Sequence, residues 1–319
     1  MHTDTELHSR LHDADAAVRR MAVIDLLDSD APDSTELLVA AAADADAAVR
    51  AEVARALEGV ETPPAVQALL ALLADDDVAV HTAAATSLAE LKDAALGAQL
   101  LPATRAGAPA IRAAAFRALR QLRVSAAFAP ALAAIAGDTD AGVRREAVGV
   151  LGYLKDPRAL DALAQLTVGD RDAEVRRAAI GALGFGSGAA IHTALIAALG
   201  DESWRVREEA AATLGKLRSA AATPALIAAL DDGYWQVRVK AAQALGHMVC
   251  TDAVPALLGA LRHEISNLRK EAAIALGDIG DVRALAALTD ALNDSDPDVR
   301  KLARRALGLI AARSAEASA

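Results

Sequence analysis

The chain is poor in residues on which several kinds of protein depend. Among its 319 residues there is one cysteine, Cys250, so no disulfide can form within the chain, and we expect a reducing, cytoplasmic environment. The first residues show no basic stretch followed by an apolar one, so we expect no secretory signal. Long uncharged apolar runs are also missing, so we predict no membrane-spanning helix and no membrane partner.

Positive charge is also scarce relative to negative charge. The chain has 33 Lys and Arg against 43 Asp and Glu, which gives a formal net charge of −10. Nucleic-acid binding depends on Lys and Arg side chains that neutralise phosphates. The balance therefore argues against a nucleic-acid partner.

Patterns that carry catalysis are missing as well. We find no glycine-rich phosphate loop and no Ser/His/Asp arrangement. His8 and His12 have the spacing of two ligands on one helix, as do His247 and Cys250, but two ligands without others make a poor metal site. We therefore predict no catalytic residue, no metal and no cofactor, and the sequence favours a protein that is not an enzyme while leaving that question open.

What the chain has in abundance is an internal repeat. The pattern DAGVRREAVGVLGYL of residues 140–154 returns at steps of 31 or 32 residues and gives ten copies. Each copy has an aligned aliphatic residue, which Arg follows in nine copies and His81 in the other. These aligned residues are Val18, Val49, Val80, Ile111, Val143, Val175, Val206, Val237, Leu268 and Val299. A fixed period of this length indicates a solenoid whose units bury apolar surface against their neighbours.

Within each copy the residues are spaced for helices. Val143, Ala147 and Leu151 are four apart on one stripe, and a Leu stands eight residues after the aligned residue in all ten copies. Ser203 in copy seven, and an aspartate at the same position in six other copies, predict amino-terminal caps. These aspartates are Asp15, Asp46, Asp77, Asp140, Asp172 and Asp296. A shorter apolar helix precedes each of these, as in residues 157–167.

The sequence therefore predicts an all-α fold, an α-α superhelix of about ten two-helix repeats. Residues 1–312 are expected to form a single solenoid with the end repeats as caps, and residues 313–319 a short flexible tail. Copy four lacks the capping aspartate and has Pro102 inside its first helix, so we expect that helix to be bent or shortened. Copies five to ten carry glycine directly after the invariant Leu, which predicts close approach of a neighbouring backbone.

The pattern D-x-x-V-R-x-x-A-x-x-x-L-G, as in residues 172–184 and 296–308, resembles HEAT repeats of the short type named after the phycobilisome lyases. The resemblance covers essentially the whole chain. It implies that the helix with the V-R pair lines the concave face and that the arginine column forms a ladder with turn aspartates of the adjacent copy. Iron-dependent deoxyhypusine hydroxylases of this type carry His-Glu dipeptides two and three residues past the aligned position. Here those positions read Arg145-Glu146, which lacks the histidine ligand.

Two functions follow from the resemblance. One is a non-catalytic scaffold or adaptor that binds another protein on the concave face. The other is a lyase or chaperone that handles a tetrapyrrole or another prosthetic group of a partner protein. Both need an apolar surface to hold the ligand, so the sequence leaves them open, and we expect a monomer in either role.

The seven aromatic residues all fall between residues 116 and 235. Phe116 and Phe128 are predicted core residues. The other five lie off the core stripe. Tyr153 and Phe185 are each ten residues past an aligned residue, so we expect them to stand side by side, and Trp204 and Trp235 are each two residues before one, so we expect them to stand together. We predict that they border a trough with small residues in its floor and arginines nearby, although they could instead cover seams between repeats. The candidate contact residues are Tyr153, Phe185, Trp204, Tyr234, Trp235, Arg145, Arg177, Gly149 and Gly181.

Overall fold

The structure, a computed structural model, describes residues 2–27 and 32–317. Over these residues every regular element is an α-helix or a short 3-10 helix. The helices form two compact units, Met1–Leu154 and Lys155–Ala319. The predicted all-α superhelix of two-helix repeats is confirmed, whereas the grouping of residues 1–312 into one domain stays a prediction.

The first unit contains copies one to five. Each copy has a first helix and then a second helix, which carries the aligned aliphatic residue. In chain order the helices are α1 (His2–Leu11), α2 (Ala16–Leu27), α3 (Ser34–Ala41), α4 (Ala47–Ala56), α5 (Pro63–Leu72), α6 (Val78–Ala89), α7 (Gly97–Leu100), α8 (Pro109–Gln121), α9 (Phe128–Gly137) and α10 (Ala141–Leu154).

The second unit contains copies six to ten in the same alternation. Its helices are α11 (Leu160–Gly169), α12 (Ala173–Ala182), α13 (Ala189–Ala198), α14 (Trp204–Lys216), α15 (Thr223–Ala228), α16 (Trp235–His247), α17 (Val254–Ala260), α18 (Ser266–Ile279), α19 (Leu285–Asp290) and α20 (Pro297–Ala317). The last helix continues past residue 312, and the flexibility expected of residues 313–319 stays a prediction.

Copy four has the shortened first helix that its sequence predicts. α7 has four residues and lies between two 3-10 helices, Ala94–Leu96 and Pro102–Arg105. Proline has no backbone N–H to continue an α-helix and its ring crowds the preceding turn. Pro102 therefore ends the α-helical path where the sequence places it.

The core of each unit lies between the first and second helices and between successive second helices. Within each unit every second helix packs on the next one along the chain. The invariant Leu is buried in nine copies and half-buried in the tenth, as Leu307. Burial of a leucine side chain contributes about 1.5–3 kcal/mol, so this column is a main source of stability.

Glycines of the second unit allow second helices to approach closely. A Cβ on Gly215 would lie 2.7 Å from the Cα of Ala244, and one on Gly246 would lie 2.7 Å from the Cα of Ala275. At Gly308, in the last copy, the same construction meets nothing within 4 Å. The predicted reason for the glycine column is therefore confirmed at Gly215, Gly246 and Gly277, whereas a Cβ on Gly184 would meet the side chain of Lys216 and no neighbouring backbone.

The amino-terminal caps predicted for the second helices are present in six copies and missing in one. All six aspartates predicted as caps accept backbone N–H groups of the first turn of their helix, as Asp46 does from Ala48 and Val49. The expectation for Ser203 is wrong, because its side chain makes no capping bond. The N–H of Val206 donates instead to the backbone carbonyl of Ser203 at 3.0 Å.

The arginine column forms the ladder that the family resemblance implies. In six places an arginine Nε lies 2.6–2.8 Å from the carboxylate of an aspartate in the following copy. Arg50 also donates from Nη1 to the backbone carbonyls of Asp44 and Ala45, so one guanidinium ties the turn of its own copy to that of the next. The hydrogen bonds from Arg50 hold the pKa of Asp75 below its ordinary value. The ladder fixes the register of successive turns.

Candidate protein-binding surface

Three of the predicted surface rings are exposed by more than two fifths of their area. They are Tyr153 at 42%, Tyr234 at 48% and Trp235 at 41%. Trp204 and Phe185 are half-buried. A water-exposed ring of this size is a candidate contact residue, because exposed apolar clusters often mark sites of association.

The two rings predicted for the core have different environments. Phe116 is fully buried, as predicted. Phe128 is only half-buried, so its assignment to the core is wrong. It is the first residue of α9, directly after a 3-10 helix.

Trp204 stacks on Tyr234 in the second unit. The ring centroids are 5.6 Å apart and the planes differ by 14°. Arg207 lies 5.6 Å from the centroid of the tyrosine ring and is itself held by the carboxylate of Asp232, with Nε–Oδ2 at 2.6 Å. Arg205 lies 5.5 Å from the centroid of the tryptophan ring. The stack is therefore fixed by a rung of the ladder and joins copies seven and eight.

The ring that stacks on Trp204 is Tyr234, the sequence neighbour of Trp235. We expected Trp204 and Trp235 to stand together, because each begins a second helix at the same register position. Tyr234, one residue earlier, is the ring that stacks, since its extended backbone (φ −108°, ψ 123°) precedes the helix and its side chain reaches the preceding copy. We call Trp204, Tyr234 and Trp235 the aromatic patch.

Tyr153 and Phe185 lie at the carboxyl-terminal side of their second helices. Tyr153 is in the last turn of α10 in the first unit, and Arg123 lies 5.5 Å from its ring centroid. Phe185 belongs to the second unit, where it ends the 3-10 helix Leu183–Phe185 that follows α12. That these two rings stand side by side stays a prediction.

Charged side chains surround the small residue predicted for the trough in the second unit. Arg177 donates to Glu174 at 2.8 Å and lies 3.7 Å from Glu209. A Cβ on Gly181 would meet Glu209 Oε1 at 3.3 Å, so this carboxylate lies against the glycine. Burial raises the pKa of Glu209, and Arg177 opposes the shift.

A denser group of charges surrounds Gly149 in the first unit. Glu146 has only 7% of its side chain exposed, and Arg117 donates to its Oε1 at 2.9 Å. Arg120 Nη1 lies 3.3 Å from its Oε2, and Arg145 lies 3.7 Å from Oε1. The side chain of Arg120 crosses α10 at Gly149, where a Cβ would lie 2.5 Å from Nη1. We call Arg117, Arg120 and Arg145 the arginine cluster.

Sequence reasoning identified Arg145 and Gly149 but missed the rest of this group. The signal was present in the register of the repeats. Arg117 and Arg120 lie six and nine residues past the aligned residue of copy four, and Glu146 lies three past that of copy five. Those positions come together only once successive second helices are known to pack in parallel register.

The described residues offer neither a metal site nor a membrane-spanning helix. Within residues 2–27 and 32–317, no group of three or more His, Cys, Asp or Glu side chains is placed to hold a metal ion. Across the same part of the chain, no helix combines the length and apolar character needed to cross a bilayer.

The sequence matches the family model described as HEAT repeats over residues 5–89, 97–184, 163–235 and 223–308. These matches together cover most of the chain. No curated protein matches the sequence.

Several solved structures share the fold. An engineered protein is 23% identical, with a TM-score of 0.55 over 96% of this chain and 98% of its own. The E. coli protein YibA is 18% identical, with a TM-score of 0.56 over 94% of this chain and 99% of its own. The yeast importin-beta Kap95p, described with RanGDP, is 17% identical, with a TM-score of 0.65 over 96% of this chain and 49% of its own. At these identities the likeness is one of fold.

Proposed function

Because the chain belongs to the HEAT-repeat family, we propose that it is a non-catalytic scaffold or adaptor that binds another protein on the concave face of its repeats. The structure described for Kap95p and RanGDP is a case in which the same fold holds a protein partner. That case supports the class of function and says nothing of the partner of this chain.

The observation that carries the proposal is the aromatic patch. A chain with only seven aromatic residues places three of them at the starts of two neighbouring second helices, and two of these are more than 40% exposed. Tyr and Trp are enriched among the residues that dominate binding energy in protein interfaces. A ring left exposed without a partner contributes little to stability, so a contact role accounts for its place.

The state of the rings also favours binding by a preformed surface. Trp204 and Tyr234 are stacked, and Arg207 and Asp232 hold the tyrosine from the side. Docking of a partner would then cost these side chains little conformational entropy, because they are already fixed. Rigid anchors of this kind increase affinity. We propose that Trp235 and the outer face of Tyr234 contact apolar side chains of the partner, with Arg177 and Phe185 further along the same unit.

The proposal is tested by affinity capture from native lysate with mass spectrometry. The variant Tyr234→Ala/Trp235→Ala should lose the proteins that the wild type captures, because it removes the two exposed rings of the patch. The matched control is Val249→Ala/Val282→Ala, which removes two apolar side chains that are 49% and 58% exposed at other places in the same unit. The control should capture the same proteins as the wild type.

The capture experiment and an absorption measurement together separate this proposal from its competitors. If both variants capture the same proteins as the wild type, the aromatic patch is not the contact surface. If the purified chain acquires a visible absorption band when it is mixed with haem or a bilin, the role in handling a prosthetic group is favoured over the scaffold. We expect no such band, because the ring of Trp204 is already stacked on that of Tyr234 and leaves no open slot between them.

A further inference from the structure

Helices α8 and α10 of the first unit carry a local excess of positive charge. The two helices contain five arginines and a single acidic residue, Glu146, in a chain whose formal net charge is −10. Arg112 is neutralised by Asp138 in the ladder, at 2.7 Å. Within residues 2–27 and 32–317, the ion pairs of the arginine cluster are all with Glu146, so three guanidinium groups meet one carboxylate.

Each guanidinium of the cluster remains open to solvent on one side. The side chains of Arg117, Arg120 and Arg145 are 41%, 36% and 48% exposed, whereas that of Glu146 is 7% exposed. A guanidinium carries five N–H donors, and Glu146 accepts from only two of those of Arg117. The buried carboxylate of Glu146 thus holds the arginines on the protein side, while N–H donors of the guanidinium groups remain available on the solvent side.

Neutralisation of Glu146 alone does not account for three arginines. One guanidinium can pair bidentately with one carboxylate, as Arg50 does with Asp75 in the ladder. Here the Oε2 of Glu146 accepts no hydrogen bond within the described residues, although Arg120 lies 3.3 Å away. The second and third arginines add positive charge beyond the one charge that neutralises the carboxylate.

We propose that the arginine cluster binds an acidic segment of a partner polypeptide, whose carboxylates take the outward N–H donors. The inference rests on the proposed protein-binding function and names the chemistry of the partner. Arg123 and Tyr153 extend the same surface to the end of α10, where the guanidinium lies over the ring. A segment with two or three carboxylates therefore meets three arginines and then an exposed ring.

The extent of the charge favours a peptide over a nucleic acid. The cluster spans two neighbouring helices, whose axes are about 8–10 Å apart in packed proteins. A nucleic acid carries charge at every phosphate along its length and would extend beyond the cluster over a chain with ten excess negative charges. A short acidic segment carries its negative charge over a length that matches the extent of the arginine cluster.

The test uses a short fluorescein-labelled peptide of alternating Glu and Gly, with fluorescence anisotropy of the full chain at low ionic strength. We expect saturable binding that weakens as salt is added, since partly exposed charges are screened. Arg117→Gln/Arg120→Gln/Arg145→Gln should weaken binding by about tenfold or more. The control Arg262→Gln/Arg304→Gln/Arg305→Gln removes the same charge from exposed arginines of the second unit and should bind as the wild type does.

A second variant guards against a folding artefact, because removal of the arginines leaves Glu146 buried without its partners. Glu146→Gln keeps the shape of the side chain and removes the competing anion, so it should bind the peptide several-fold more tightly. A purely structural charge network predicts no gain in binding from this change. Equal losses in both triple variants, or no gain in Glu146→Gln, would overturn the inference. Tighter binding of a single-stranded oligonucleotide than of the peptide would also overturn it.

The outcome is independent of the test of the aromatic patch. If the patch variant loses its captured proteins while the wild type does not bind the acidic peptide, only the present inference fails. If the peptide binds through the arginine cluster while the patch variant captures the same proteins as the wild type, the patch is rejected and the acidic-segment site stands.

Discussion

The indole ring of Trp204 lies parallel to the phenol ring of Tyr234, with 5.6 Å between the ring centroids. Trp204 begins α14 and Tyr234 directly precedes α16, so the contact joins one repeat to the next. The patch thus has a half-buried ring that holds the seam between copies and an outer ring, Trp235, that is 41% exposed. A seam role and a contact role therefore fall to different residues of one patch.

We expect Trp204→Ala and Trp235→Ala to have different effects on stability. Loss of Trp204 removes a stacked contact and half-buried area, which should lower the free energy of unfolding by about 1–2 kcal/mol. Loss of Trp235 should change it by less than about 0.5 kcal/mol, because two fifths of its surface already face solvent. Urea unfolding of the two variants measures both values. Equal destabilisation would show that both tryptophans act in the seam.

The glycine column offers a matched pair of substitutions. Gly246→Ala should destabilise the second unit, because the new methyl would lie 2.7 Å from the Cα of Ala275. Gly308→Ala places the same methyl in open space and should stabilise α20 by up to about 1 kcal/mol through helix propensity. Thermal unfolding of the two variants gives opposite shifts if close helix packing is the reason for the column. A gain in both would contradict it.

The invariant leucines should differ between inner and end repeats. Leu183 is fully buried, so Leu183→Ala should lower the free energy of unfolding by about 2–5 kcal/mol. Leu307 is half-buried in the last copy, and Leu307→Ala should lower it by less than about 2 kcal/mol because fewer neighbours lose contacts. Denaturant titration of both variants tests the difference. Equal losses would count against stabilisation by nearest-neighbour packing.

The ladder predicts a loss of stability in acid. The hydrogen bonds from Arg50 lower the pKa of Asp75 in the folded chain, so on acidification the unfolded chain takes up the proton first. The stabilisation is therefore fully present above the ordinary pKa of an aspartate, about 3.9, and is lost as the pH falls through the lower folded value.

Asp75→Asn tests this dependence, because the neutral amide keeps one acceptor oxygen but loses the negative charge that pairs with Arg50. At neutral pH the variant should be less stable than the wild type by about 1 kcal/mol or more. At a pH below the lowered pKa of Asp75 the two proteins should be nearly equal in stability. A difference that stays constant from neutral to acid pH would show that the carboxylate charge is not what stabilises the rung.

The fold could be predicted from the sequence because the copies repeat one pattern of capping and core residues. The caps at Asp46 and its equivalents, the buried column of Leu and the early end of the first helix at Pro102 each depend on residues within one copy. Local patterns of this kind do not require knowledge of which helix lies beside which.

The candidate surface was harder to predict because its contacts join different copies. The stack of Trp204 on Tyr234 depends on the backbone direction of one residue before α16. The convergence of Arg117 and Arg120 on Glu146 depends on the parallel register of α8 and α10. The spacing of the repeats identifies which residue types occur at which repeat positions. Which of these side chains pair with one another depends on how the helices of neighbouring copies pack.

The fluorescence of Trp235 tests the central claim most directly. Trp204→Phe leaves Trp235 as the single tryptophan of the chain, on the exposed side of the aromatic patch. When a partner captured by the wild type is added, the emission of Trp235 should shift to shorter wavelength and its quenching by acrylamide should decrease, because the ring loses contact with water. If the complex forms while the emission and the quenching of Trp235 stay unchanged, the partner binds elsewhere and the aromatic patch is not its contact surface.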